Sequence, residues 1–154
     1  MFFDLFRRKK NKDIDDIVLF ETDEKRNRMW DLLAEGEIES PYNELMSYQS
    51  EVNNGGHHQY FLNTENNGDV RKDIEALCTI LPGVLTDNNQ VAFKAYIELE
   101  QDKNIEANEE ILEKCDDVFG ENEEMINSIL ESYCAQNIWM QLNKARSIGN
   151  ENSW

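Results

Sequence analysis

The chain has 154 residues, in which 15 Lys and Arg face 32 Asp and Glu for a formal net charge of −17, and its hydrophobic content is 40%. A body of that sign repels phosphates and anionic headgroups, which argues against direct nucleic-acid binding and for basic proteins as partners. The apolar residues, among them seven Phe, five Tyr and three Trp, are enough for one packed core, so high charge does not imply disorder.

The acidity is uneven. Arg7, Arg8, Lys9, Lys10 and Lys12 face only Asp4, which leaves 10 positive and 31 negative side chains in residues 13–154. The expected organisation is therefore a basic, aromatic N-terminal arm over residues 1–12 and a single acidic helical domain over 13–154. The arm places its charges after the apolar residues, opposite to the order in a signal peptide. A single short segment without a lipid anchor binds membranes only marginally, so the arm is expected to pack on the core or lie against the acidic body. No apolar run is long enough to span a bilayer, and a cytoplasmic protein is expected. Cys78, Cys115 and Cys134 are odd in number and fall in apolar helical register, as reduced core thiols would.

Taken in order, residues 13–35 open with Asp13, Asp15 and Asp16 and carry Ile14, Ile17, Val18, Met29, Leu32 and Leu33 at helical spacing, with Gly36 as a stop. Ser40 as N-cap with Pro41 at the first helical position starts a helix carrying Tyr42, Leu45, Met46, Gln49 and Val52. That helix is expected to stop at Asn53-Asn54-Gly55-Gly56, and a short one follows through His57 to Leu62. Beyond Asn66-Asn67-Gly68, Val70, Ile74, Leu77, Cys78 and Leu81 form a stripe that ends at Pro82-Gly83. Asp87 with Gln90 resembles a capping box and opens a helix with Val91, Ala95 and Leu99. No segment alternates as a strand does.

The last third is patterned most strongly. Ile111, Leu112, Cys115, Val118 and Phe119 share one helical face, and after an expected break at Gly120 the set continues in Met125, Ile126, Ile129, Leu130, Tyr133 and Cys134. On the remaining faces Glu98, Asp102, Glu106, Glu109, Glu110, Glu113, Asp116, Asp117, Glu121, Glu123 and Glu124 form a ridge of negative charge. Neighbouring carboxylates at this spacing cost a helix a few tenths of a kcal/mol per pair. The ridge is either a solubility feature or a surface for a basic partner.

The segment Asn54, Gly55, Gly56, Gln59, Tyr60, Phe61 and Asn63 reads N-G-G-x-x-Q-Y-F-x-N. It resembles the signature of the bacterial DNA-mimic protein family of the DMP type, with His57 where that family has Phe. The resemblance implies an all-helical fold whose acidic surface imitates DNA phosphates and occupies the DNA-binding face of a protein such as a transcription regulator. The signature also has a structural reading: the glycines let one helix end and another begin at an angle, Tyr60 and Phe61 bury apolar surface at the joint, and Gln59 and Asn63 bridge backbone groups.

Chemical motifs are sparse. His57-His58 point about 100° apart on a helix and lack a second cluster to complete a metal site, so no metal is expected; His57 instead fills an aromatic position and His58 is exposed. Asn63 to Ile74 imitates a calcium loop through Asn63, Glu65, Asn67, Gly68 and Asp69, but Ile74 stands where a bidentate Glu is required. There is no phosphate loop, nucleophile elbow or HExxH, so neither an enzyme nor a cofactor is expected. The reading is an all-α, non-enzymatic DNA-charge mimic with a basic DNA-binding protein as partner, and a homodimer is left open. The alternatives are an immunity-type inhibitor of a basic nuclease toxin and a plain helical module kept soluble by its acidity.

Overall fold

The computed structural model describes residues 38–151 together with Asn27, Asp31 and Glu35, with side chains as far as Asn137. The basic arm at 1–12 and the apolar stripe proposed for 13–35 lie outside the described residues. Asn27 and Asp31 are helical, and the Glu35 amide donates to the Asp31 carbonyl at 2.9 Å.

The fold is all-α, with no strand among the described residues. Helix α1 spans Tyr42–Asn67, α2 Val70–Cys78, α3 Gly83–Glu100 and α4 Ile105–Glu151. By packing, the chain divides into residues 39–130 and a second unit made of 1–38 with 131–154. Residues 39–130 hold the joint, the acidic stripe and the aromatic core described below.

Helix α1 is two arms joined at Gly55 and Gly56, whose backbones leave the helical region. The bend lets both arms bury their aromatic residues at one centre, where Tyr48, Tyr60, Phe61 and Phe119 are all shielded from solvent. The Tyr48 ring lies 4.9 Å from Tyr60 and 5.4 Å from Phe119, both edge-on. Each such pair contributes about 0.5–1.5 kcal/mol beyond its buried area. Phe61 extends the cluster to Phe93 and Tyr96 of α3 at 5.2 and 5.4 Å. Helix α2 is started by Asp69, whose Oδ1 accepts from the amides of Arg71 and Lys72.

Several boundaries differ from the sequence expectation. Helix α1 begins at Tyr42, with Pro41 rather than Ser40 at the cap position, and the Ser40 hydroxyl donates to the Glu44 carboxylate at 2.8 Å. The arm after the joint runs to Asn67, five residues beyond Leu62. Pro82-Gly83 opens α3 rather than closing α2: Leu85 and Thr86 donate to the Pro82 carbonyl at 3.0 Å, and Asp87 is an exposed residue within the helix. Gly120 breaks nothing. A helical glycine costs only about 1 kcal/mol, and the buried Phe119 and Ile126 on either side hold α4 in one piece.

The core stripes also need correction. Cys115 and Cys134 are buried, whereas Cys78, the last residue of α2, is exposed. Val91, Ile111 and Met125 face solvent. Helix α3 instead turns Asn88 and Asn89 inward, and the Asn88 amide donates to the Cys115 carbonyl at 2.8 Å. A buried polar pair of this kind has no apolar periodicity to reveal it.

Candidate functional site

The joint in α1 is built from its backbone outward. Gly56 has φ 79° and ψ 179°, a region essentially closed to residues with a Cβ. A Cβ at Gly56 would also run into the Asp116 carboxylate, and one at Gly55 into the Gln59 side chain. The chain then re-enters helix at His57, whose amide starts the second arm and needs an acceptor. Asp116 of α4 provides it: its Oδ1 accepts from the His57 amide at 2.9 Å and pairs with His57 Nδ1 at 2.6 Å.

His57 is fully buried, and its Nε2 lies 2.7 Å from the Tyr48 hydroxyl. The Asp116 carboxylate can only accept, so Nδ1 carries a proton, and in the neutral ring Nε2 accepts from the Tyr48 O–H. Burial pushes the Tyr48 phenol well above the usual tyrosine range, which keeps that proton on oxygen. An Asp–His–hydroxyl chain is the pattern that activates nucleophiles. Here the hydroxyl is sealed in the core, so no substrate reaches it and the chain of bonds acts as a clamp.

The remaining motif residues complete the joint. Gln59 and Asn63 both donate to Glu51 Oε2, at 3.0 and 2.8 Å, so they bridge a carboxylate on the other arm rather than backbone groups. Tyr60 and Phe61 are buried and Asn54 is exposed. His57 fills the aromatic position expected of it. His58 is half-exposed, 3.7 Å from Glu100 and edge-on to Tyr96. Asn63, Asn67 and Asp69 of the calcium-like stretch are engaged with Glu51, the Asn63 carbonyl and the start of α2 respectively. Among the described residues there is no group of three His, Cys, Asp or Glu placed to hold a metal.

The structure sorts the acidic residues into two sets. Three of them are tied inward. Glu98 accepts from Asn108 at 3.1 Å, Asp116 holds His57, and Glu123 accepts from Gln49 and Asn53 at 3.1 and 2.6 Å. Glu106, Glu110, Glu113, Asp117, Glu121 and Glu124 are all exposed. At about 100° per residue they fall within a stripe some 80° wide, opposite the buried Leu112, Cys115, Phe119 and Ile126. Glu109 flanks the stripe, and Asp102 sits in the α3–α4 turn with φ 56°. Within the stripe, Glu110 pairs with Lys114 at 3.0 Å.

Sequence reading missed Tyr48, Glu51, Asn88 and Asn108 as structural polar residues. Their partners lie many residues away or on the backbone, and no local pattern marks them. No protein-family model matches the chain, and neither a curated protein nor a solved structure shows significant similarity to it.

Proposed function

We propose that the chain is a non-enzymatic charge mimic of DNA that binds the basic DNA-binding surface of a partner such as a transcription regulator, in the manner of the DMP-type family its joint motif resembles. The observation that carries this reading is the stripe of Glu106, Glu110, Glu113, Asp117, Glu121 and Glu124 on one solvent-facing side of a single uninterrupted helix. At 1.5 Å per residue it runs about 27 Å, a length over which one strand of B-DNA presents about eight phosphates. The carboxylates stand about 4.5–6 Å apart along the axis. The absence of a glycine break matters, because it keeps all six on one rigid rod.

A surface that only needed to be soluble has no reason to gather six carboxylates here with Lys114 alone at their edge, since mixed charge serves solubility at less self-repulsion. The test is capture of binding partners from host lysate on immobilised protein, eluted by a salt gradient and, separately, by duplex DNA. A DNA-binding protein released by both is the expected result. A partner indifferent to salt and DNA, or none at all, refutes the reading.

A further inference from the structure

Helices α3 and α4 form an antiparallel pair whose register is set by two hydrogen bonds, Asn88 Nδ2 to the Cys115 carbonyl at 2.8 Å and Asn108 Nδ2 to Glu98 at 3.1 Å. Val91 therefore lies about level with Leu112 to Cys115, and Val84 with Phe119 to Asn122. Helix α1 covers one side of this pair, through Phe61 on Phe93 of α3 and His57 and Tyr48 on α4. On the opposite side, Val84 and Val91 of α3 and Ile111, Val118 and Met125 of α4 are each turned roughly 40–90° from the line where the two helices meet.

Val84, Val91, Ile111 and Met125 are 44%, 52%, 37% and 44% exposed, and they make up four of the six exposed large hydrophobic residues among those described. Val84 and Val91 are seven residues apart on α3, and Ile111 and Met125 are fourteen apart on α4 with the half-buried Val118 midway, so they line one groove about 21 Å long between Ile111 and Met125, the length of four helical turns. Exposed apolar side chains gathered in this way mark a binding surface more often than scattered ones do. Among the described residues the groove's rim is mainly acidic: Glu110, Asp117 and Glu121 stand beside it on α4 and Asp87 on α3, against Lys94 and against Lys114, which is paired with Glu110.

We infer that this groove receives an amphipathic helix of the partner, about four turns long, with an apolar face flanked by Lys and Arg. Charge complementarity selects this occupant over a second copy of the chain, whose own groove carries the same acidic rim and would meet it with like charge. The inference rests on the reading of the acidic stripe as a surface for a basic partner, and it adds that the contact has an apolar, salt-resistant component.

The probe is a labelled 18-residue peptide with Leu at heptad spacing and Lys and Arg elsewhere, beside a shuffled peptide of identical composition. Both are titrated by fluorescence anisotropy into the full chain at low and high salt. The expected result is at least tenfold tighter binding of the ordered peptide, a preference that survives high salt. Val91→Gln and Met125→Gln each lower that affinity about three- to tenfold and leave the shuffled peptide unaffected. These positions are exposed, and circular dichroism verifies that both variants remain folded. If both variants bind the ordered peptide as the wild type does while Glu110→Gln/Asp117→Asn/Glu121→Gln loses it, the groove is excluded and the acidic-stripe reading stands. If neither peptide binds, both fall. A wild-type dimer in sedimentation that Val91→Gln converts to monomer would assign the groove to a second copy and overturn the inference.

Discussion

A single carboxylate oxygen, Asp116 Oδ1, accepts from both the backbone amide and the Nδ1 of His57, at 2.9 and 2.6 Å. One residue of α4 thereby caps the second arm of α1 and orients the ring that fills its joint. Asp116 belongs to the acidic run by sequence but to the core by its bonds. Replacing it with Ala leaves a helix-starting amide and a buried ring nitrogen without their acceptor, a loss of about 1–3 kcal/mol. Urea unfolding measures it, with Asp117→Ala as the control on the exposed stripe. Equal stability of the two variants would mean that the clamp contributes nothing.

Gly56 and Gly55 are expected to respond unequally to Ala. At Gly56 the positive φ and the facing Asp116 carboxylate act together, and the conformation alone costs a residue with a Cβ about 1–3 kcal/mol. At Gly55 the obstacle is the Gln59 side chain, which can rotate away at the expense of its 3.0 Å bond to Glu51. Gly56→Ala therefore unfolds at lower urea than Gly55→Ala. The reverse order would show that the bend is set by the Gln59–Glu51 bridge rather than by backbone conformation.

Helical type and the two-part character of α1 were legible because the Asn-Gly-Gly stretch and the apolar periods are local signals. The clamp was not: His57 and Asp116 are 59 residues apart, and nothing near either one announces the other. The same limit produced the Pro82-Gly83 error, since proline followed by glycine closes one helix or opens the next with equal ease and only the burial of Leu85 decides. The acidic stripe was legible as composition. Its separation from Glu98, Asp116 and Glu123 depended on which carboxylates find amides across the packed interface.

Asp73 carries a stability cost that depends on pH. Burial, then the nearby Glu44 and Asp69 carboxylates, raises its pKa above the ordinary aspartate value. The folded state thus holds the proton more tightly than the unfolded state does, and ionising Asp73 destabilises the fold above the raised pKa. The penalty lessens as pH falls through that pKa and is gone below the unfolded value. Asp73→Asn is accordingly more stable than wild type at neutral pH, and the two converge in acid. Thermal melts across that range check the sign; a neutral-pH loss on substitution would mean that Asp73 is valued more for its place in the first turn of α2.

Thiol reactivity should divide the cysteines. Cys78 is exposed, whereas Cys115 is buried, and burial, then the adjacent Asp116, pushes its pKa up. The thiolate is the reacting species, so mild alkylation of the native protein modifies Cys78 first and reaches Cys115 only on unfolding. Peptide mass mapping after timed quenching reads the order. Early labelling at Cys115 would require α3 and α4 to part in the native state.

The acidic stripe itself should weaken the helix that carries it. Glu106, Glu110, Glu113, Asp117, Glu121 and Glu124 stand three or four residues apart, and each like-charged neighbour costs a few tenths of a kcal/mol at low ionic strength. Glu106→Gln/Glu113→Gln/Asp117→Asn/Glu124→Gln keeps the Glu110–Lys114 pair, 3.0 Å in the wild type, and removes most of that repulsion. The quadruple variant is therefore expected to melt higher than wild type in low salt and to match it in 1 M salt, where the Debye length is about 3 Å. Glu98→Gln/Glu123→Gln provides the contrast, because those carboxylates accept hydrogen bonds from Asn108, Gln49 and Asn53 and their neutralisation should cost stability at any salt. If the quadruple variant loses stability as well, the stripe is part of the scaffold. If it gains stability while losing partner affinity, its repulsion is retained for the sake of what it binds.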